Sequence, residues 1–172
     1  MALKPEPGTY ALFCRAESDA WIEVGCLGTL RVRPGLYVYV GSALGPGGLA
    51  GRISHHARPA KKAHWHIDSL RAHTRLESIW YSYGAQRREH VWAAAFKAAP
   101  GVSVPQQGFG ASDCACDSHL FYFGQPPSLR AFAARLRALD PAHPRLLFTG
   151  EQSGWQTKRP LPVFTPKAGR GK

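Results

Sequence analysis

Acidic residues are scarce in this 172-residue chain, and long apolar runs are absent. It has 11 Asp and Glu residues and 22 Lys and Arg residues, which gives a formal net charge of +11 at pH 7. No apolar run approaches the roughly 20 residues that span a bilayer. Residues 1–7 hold no apolar stretch of signal-peptide length. We therefore expect a cytoplasmic protein that makes no membrane contact and binds an anionic partner, nucleic acid before any other.

Cysteine is also uncommon, with four in the chain: Cys14, Cys26, Cys114 and Cys116. Without export, structural disulfides are not expected. Cys114 and Cys116 are too close in sequence for an ordinary bridge that spans a fold. They are interpreted as free thiols or as metal ligands.

The positive charge is concentrated near the C-terminus. Residues 125–172 contain nine basic and two acidic side chains, and seven of the 14 prolines. This composition predicts a folded domain over residues 1–124, followed by an amphipathic helix and a basic, Pro-rich tail over residues 125–172. The alternative boundary lies just after that helix, at residue 139. The tail either improves solubility or contributes contacts to nucleic acid.

Hydrophobic patterning predicts an α+β fold. Apolar and aromatic runs indicate strands, and longer periodic segments indicate helices. The strands are predicted at residues 8–15, 21–24, 36–40, 76–83 and 120–123, and the helices at 49–57, 64–73, 87–99 and 129–139. Residues 41–48 are predicted to be irregular because they are rich in glycine. The expected result is a small, mainly antiparallel sheet of three or four strands flanked by helices.

The first group of candidate catalytic residues lies between residues 37 and 56. Side chains alternate along a strand, so Tyr37 and Tyr39 lie on one face, and Gly41 permits a close approach at the strand end. Arg52 and His56 are four apart and share one helical face. A guanidinium, a phenol and an imidazole together suit a phosphodiester, the first for its charge and the others for proton transfer. The alternative is a core tyrosine and a solvated helix face.

Three elements in this order resemble the GIY-YIG nuclease superfamily: Gly8-Thr9-Tyr10, Tyr39-Val40-Gly41 and the helical RISHH segment, residues 52–56. Within that superfamily the chain is similar to the family called domain of unknown function 123. The closer resemblance is carried by GLYVYVGSALG (35–45), RISHH (52–56), HWHID (64–68) and GFGASDCACDSHLFYF (108–123).

The resemblance implies a metal-dependent endonuclease that hydrolyses phosphodiester bonds with one Mg²⁺ or Mn²⁺ ion, DNA being the favoured substrate. The catalytic residues that it implies are Tyr10, Tyr39, Arg52 and His56, and the metal ligand is Glu89. Arg52 would bind the phosphate, and either Tyr39 or His56 would deprotonate the attacking water. The alternative is a catalytically inactive nucleic-acid-binding module that keeps the fold.

The HWHID block has two interpretations. In the functional one, His64 or His66 contacts the substrate phosphate or lies near the metal, and His66 is the preferred candidate. In the structural one, Trp65 and Ile67 belong to the core, and Asp68 caps a helix.

The segment 113–119, DCACDSH, has three interpretations. Cys114, Cys116 and His119 have the chemistry of three ligands of a tetrahedral Zn²⁺ site, although no fourth ligand is evident nearby. A tight loop with half-buried thiols is the second. In the third, Asp113 or His119 lines the active site.

Overall fold

A computed structural model describes residues 3–58 and 65–150 of the chain. Its strands are β1 (Gly8–Ala16), β2 (Ala20–Glu23), β3 (Thr29–Val32), β4 (Gly35–Ala43), β5 (Arg75–Tyr83), β6 (Val102–Ser103), β7 (Leu120–Phe123) and β8 (Leu147–Gly150). Its helices are α1 (Gly48–Ala57), α2 (His66–Arg71), α3 (Glu89–Lys97) and α4 (Leu129–Leu139), with a 3₁₀ turn at Gly25–Leu27.

The main sheet has six strands in the order β6-β7-β4-β1-β5-β8, and each neighbouring pair is antiparallel. The α+β class and the antiparallel sheet are confirmed, but the prediction of three or four strands is wrong. The additional strands are the edge strands β6 and β8. Each is too short, at two and four residues, to produce a periodic hydrophobic signal.

The sheet is covered by helices on both faces. Side chains alternate along its central strand β1, so neighbouring residues of this strand pack on opposite faces. Tyr10 and Leu12 pack in one apolar cluster with side chains of α1 and α2. Ala11 and Phe13 pack in a second cluster with side chains of α3 and α4. The first face is the one that carries both predicted tyrosines, Tyr10 and Tyr39.

Strands β1 and β4 pair without interruption from Gly8 opposite Ala43 to Ala16 opposite Gly35. The long segment between them contains β2 and β3, which pair with each other as a separate hairpin. This intervening segment therefore leaves the register between β1 and β4 uninterrupted, and Tyr10 lies directly opposite Gly41. Residues 41–43, predicted to be irregular, continue β4 because this pairing extends through them.

The segment after Gly124 adds two elements to this framework. Helix α4 contributes Phe132 and Leu136 to the second cluster, and β8 pairs with β5. The boundary after Gly124 stays a prediction, and residues 151–172 of the predicted tail lie outside the described part of the chain. Among the helices that the structure describes, none is long and apolar enough to cross a bilayer.

Candidate active site

A cleft of about 470 Å³ opens on the face of the sheet that carries Tyr10 and Tyr39. Five of the six residues predicted for catalysis and metal binding line it: Tyr10, Tyr39, Arg52, His66 and Glu89. Asp113 and His119 line it as well. The sixth predicted residue, His56, lies behind Tyr10 and is buried. Residues far apart in sequence therefore converge on one concave surface.

Tyr10 crosses over β4 at Gly41 to reach His56. The Tyr10 hydroxyl lies 2.9 Å from His56 Nε2, within hydrogen-bond distance. A Cβ added at Gly41 would be 2.5 Å from that hydroxyl, closer than real Cβ contacts. The glycine thus makes room for the phenol, and α1 places the imidazole against it.

His56 is held as a neutral imidazole. Burial lowers its pKa to about 4, although the nearby carboxylate of Asp68 acts in the opposite direction. Asp68 Oδ1 lies 3.6 Å from His56 Nδ1, and its charge favours a proton on that nitrogen. With the proton on Nδ1, Nε2 accepts the hydrogen bond from the Tyr10 hydroxyl.

Both tyrosines of the cleft keep their protons at neutral pH. Burial raises the pKa of Tyr39 to about 12, more than the Arg52 guanidinium lowers it. Burial also raises the pKa of Tyr10 well above its ordinary value, and Tyr39 adds to the increase. A phenolate at either position therefore needs a further positive charge in the cleft.

Arg52 is placed by the close packing of α1 against the N-terminal segment. Gly48 begins the helix with a φ of +50°, and a Cβ there would lie 2.3 Å from the Glu6 carbonyl oxygen. The Arg52 guanidinium carbon lies 4.5 Å from the centre of the Trp65 ring, a cation–π contact. Within the described residues Arg52 forms no ion pair. Its charge is available to an anion.

Glu89 opens α3 and is 5% exposed. One carboxylate oxygen, Oε1, lies 3.1 Å from Arg87 Nε. The other, Oε2, is buried without a hydrogen-bond partner among the described residues, a state that costs free energy unless something else binds it. Mg²⁺ and Mn²⁺ prefer oxygen ligands of this kind. Glu89 therefore fits the metal ligand that the resemblance implies.

The HWHID block places His66 at the cleft and Ile67 and Asp68 in structural positions, and the functional interpretation of His66 stays a prediction. Ile67 is fully buried, and Asp68 accepts a hydrogen bond of 3.0 Å from the Trp65 N–H at the start of α2. His66 lines the cleft, and its Nδ1 accepts a 3.2 Å hydrogen bond from the Gly110 N–H. His64 lies outside the described residues.

A second group of ligand-type side chains lies beside the cleft. Cys114 Sγ is 3.4 Å from His119 Nε2, and Cys116 Sγ is 3.4 Å from His90 Nδ1. His90 was not predicted for any site, because it is distant in sequence from the cysteines and lies in an ordinary helical pattern. Its closeness to Cys116 is visible only in the folded chain.

Comparison with known proteins identifies one family. The family model described as "Domain of unknown function DUF123" matches residues 9–139. No curated protein and no solved structure matches the chain.

Proposed function

The chain belongs to the DUF123 family, and we propose that it is a metal-dependent endonuclease of the GIY-YIG type that cleaves nucleic acid, DNA in preference. The main support for this proposal is that two groups with free binding capacity, one carboxylate oxygen and one guanidinium, line the same cleft. Glu89 offers a buried carboxylate oxygen without a partner, and Arg52 offers a cation without a carboxylate among the described residues. A scissile phosphate with its divalent ion would satisfy both.

Glu89 would hold a single Mg²⁺ or Mn²⁺ ion, with water completing its coordination. Such an ion, when bound, stabilises the charge that develops on the leaving oxygen. Arg87 binds the other carboxylate oxygen and fixes the orientation of Glu89. The rigid start of α3 thereby keeps the ligand in place.

Arg52 would bind a non-bridging phosphate oxygen and stabilise the additional negative charge of the transition state. Its contact with the Trp65 ring holds the guanidinium in the cleft before substrate arrives. Tyr39 keeps its proton, since the pKa of this phenol is raised to about 12. It therefore acts as a hydrogen-bond donor to the phosphate. His66, which also lines the cleft, would add a polar contact to the phosphate.

The proton of the attacking water would pass through Tyr10 to His56. The Tyr10 oxygen accepts the proton from water while the phenol proton moves to His56 Nε2, 2.9 Å away. His56 is neutral at pH 7 because its pKa is about 4, so the accepting form is present. The carboxylate of Asp68, 3.6 Å from Nδ1, offsets part of the cost of burying the resulting imidazolium. We therefore propose His56, acting through Tyr10, for the base role that the sequence left open between Tyr39 and His56.

The substrate screen that tests the function uses the full chain with labelled single-stranded, duplex and flap DNA, and with single-stranded RNA. Each substrate is incubated with Mg²⁺, Mn²⁺ or EDTA. We expect cleavage of at least one DNA with either metal and none in EDTA. Arg52→Ala should lower the rate by about 10²–10³-fold. Arg58→Ala, which removes an exposed arginine just after α1, should leave it near the wild-type value.

Two outcomes would contradict the proposal. Tight binding without cleavage on all four substrates would favour the inactive binding module. Faster cleavage of RNA than of DNA would retain the nuclease but reverse its substrate preference.

A further inference from the structure

Four soft ligand groups meet where α3 begins and the loop before β7 ends. The ligand atoms of His90, Cys114, Cys116 and His119 all lie within 4.8 Å of one another. Three of these residues are half-buried and His119 is buried. Of the four, only His119 also lines the cleft, so this group is separate from the oxygen ligand at Glu89.

The distances within the group match those of a tetrahedral zinc site. Zinc binds thiolate at about 2.3 Å and imidazole at about 2.0–2.1 Å, so the edges of the tetrahedron are roughly 3.3–3.8 Å. The two sulfur–nitrogen distances that join Cys114 to His119 and Cys116 to His90 are both 3.4 Å. The two Cys–His pairs are therefore at about edge length. The remaining ligand-atom distances are at most 4.8 Å, so closing the tetrahedron requires a shift of up to about 1.5 Å between the pairs.

Three of these residues, Cys114, Cys116 and His119, lie in one loop. Residues 104–119 contain no helix or strand. Within the loop the His119 N–H donates to the Phe109 carbonyl at 2.7 Å. The fully buried Phe109 and the ion pairs of Asp113 with Arg87 and of Asp117 with Lys97 hold the loop against the domain. A metal bound by this loop and by His90 of α3 would cross-link them at the point where both reach the cleft.

We propose that His90, Cys114, Cys116 and His119 bind one structural Zn²⁺ ion. Two thiols and two imidazoles in tetrahedral arrangement are the donor set that selects zinc over Mg²⁺ or Mn²⁺. All four positions are filled by protein, which is typical of structural rather than catalytic zinc. Binding replaces the two thiol protons, which leave to solvent, and no electron is transferred.

The zinc ion would also order one wall of the cleft. Glu89 and His90 are consecutive, so the proposed oxygen-bound metal and the zinc lie on neighbouring positions of one helical turn. His119 contributes to both the zinc group and the cleft wall, and Asp113 precedes the first cysteine. The zinc site does not depend on nuclease activity, and its test needs no substrate.

The test measures metal on the untagged full chain. After reconstitution with Zn²⁺ and removal of free metal, elemental analysis should give about one zinc per chain. Replacement with Co²⁺ should give the thiolate-to-cobalt charge-transfer band and the intense visible bands of tetrahedral ligation. Removal of zinc by a strong chelator should lower the melting temperature. Less than about a tenth of an equivalent of zinc, or a cobalt spectrum without thiolate bands, would overturn the proposal.

Variants locate the site on the chain. Cys114→Ser and His90→Gln should each lose tight zinc binding, whereas Cys26→Ser, which changes an exposed cysteine elsewhere, should retain one equivalent. Glu89→Gln should also retain it, because that carboxylate is not a zinc ligand. Retention of zinc by both Cys114→Ser and His90→Gln, or its loss from Glu89→Gln, would contradict the assignment. If the cysteine variant fails to fold, the cobalt spectrum of the wild-type chain still decides whether thiolates bind the metal.

Discussion

Gly41 lines the cleft, and its missing side chain leaves room for the Tyr10 phenol. Gly41→Ala would place a methyl group 2.5 Å from the Tyr10 hydroxyl and force the phenol away from His56. We expect a loss of about 1–3 kcal/mol in the free energy of unfolding, the usual cost of overpacking a closed site, measured by urea denaturation. Gly45→Ala is the matched control, since no heavy atom lies within 4 Å of its added Cβ. Equal stability of the two variants would mean that Tyr10 is not held against β4.

His56 gives the fold a pH dependence of definite sign. Its pKa is about 4 in the folded chain and near 6.5 when unfolded. Between these values the unfolded state binds more protons, so the stabilising contribution is fully present above about pH 6.5 and is lost as the pH falls toward 4. We expect the wild-type chain to lose about 1–2 kcal/mol more than His56→Gln between pH 7.5 and pH 5.

The measurement for His56 is denaturant unfolding at several pH values. His73→Gln, which changes an exposed histidine after α2, serves as control and should follow the wild-type curve. Parallel curves for the wild type and His56→Gln would mean that His56 is not buried as a neutral imidazole.

At the residue scale the sequence predicted most of the cleft. Tyr39 and Arg52 follow from the local strand and helix periods, whereas Tyr10 and Glu89 are implied only by the family resemblance. His90 was missed because its partners are 24 to 29 positions downstream, and no spacing rule relates a helix to a distant loop. The position of His56 behind Tyr10 depends on strand register, which a helical period cannot give.

The elements near the C-terminus make contacts that a composition shift does not predict. Asp140 pairs with the nearly buried Arg88 at 2.8 Å, and the indole N–H of the fully buried Trp92 donates to His143 Nε2 at 2.8 Å. Further on, β8 covers the outer edge of β5. In the sequence, Pro141 and Pro144 indicate only an irregular segment. Strand β8 is four residues long, too short to give a periodic hydrophobic pattern.

Truncation separates these elements from the tail. A chain that ends at Leu139 loses β8 and both contacts, and the unpaired indole alone costs about 1–3 kcal/mol. We expect it to melt at a clearly lower temperature than the full chain, measured by circular dichroism. A chain that ends at Gly150 keeps every described contact and should melt close to the full-length value. Equal melting temperatures for the two truncated chains would show that residues 140–150 do not stabilise the domain.

At the scale of the whole molecule, the salt dependence of DNA binding tests whether the basic tail contacts nucleic acid. A chain that ends at Gly150 loses five basic residues: Lys158, Arg159, Lys167, Arg170 and Lys172. If these contact phosphates, the slope of log affinity against log salt becomes shallower by up to about 4.5, since each of the five neutralised duplex phosphates contributes about 0.9. Fluorescence anisotropy at several salt concentrations measures it. An unchanged slope would favour the solubilising interpretation.

The most direct measurement of the central claim is single-turnover cleavage by Glu89→Gln under conditions in which all the substrate is bound. The substitution keeps the size of the side chain but removes the carboxylate proposed to bind Mg²⁺ or Mn²⁺. We predict that binding, measured by anisotropy, stays near the wild-type value because the basic residues supply it. The cleavage rate should fall by at least about 10²-fold. A Glu89→Gln variant that cleaves at the wild-type rate in Mg²⁺ would contradict the account, because the metal would then not need the carboxylate around which the cleft is built.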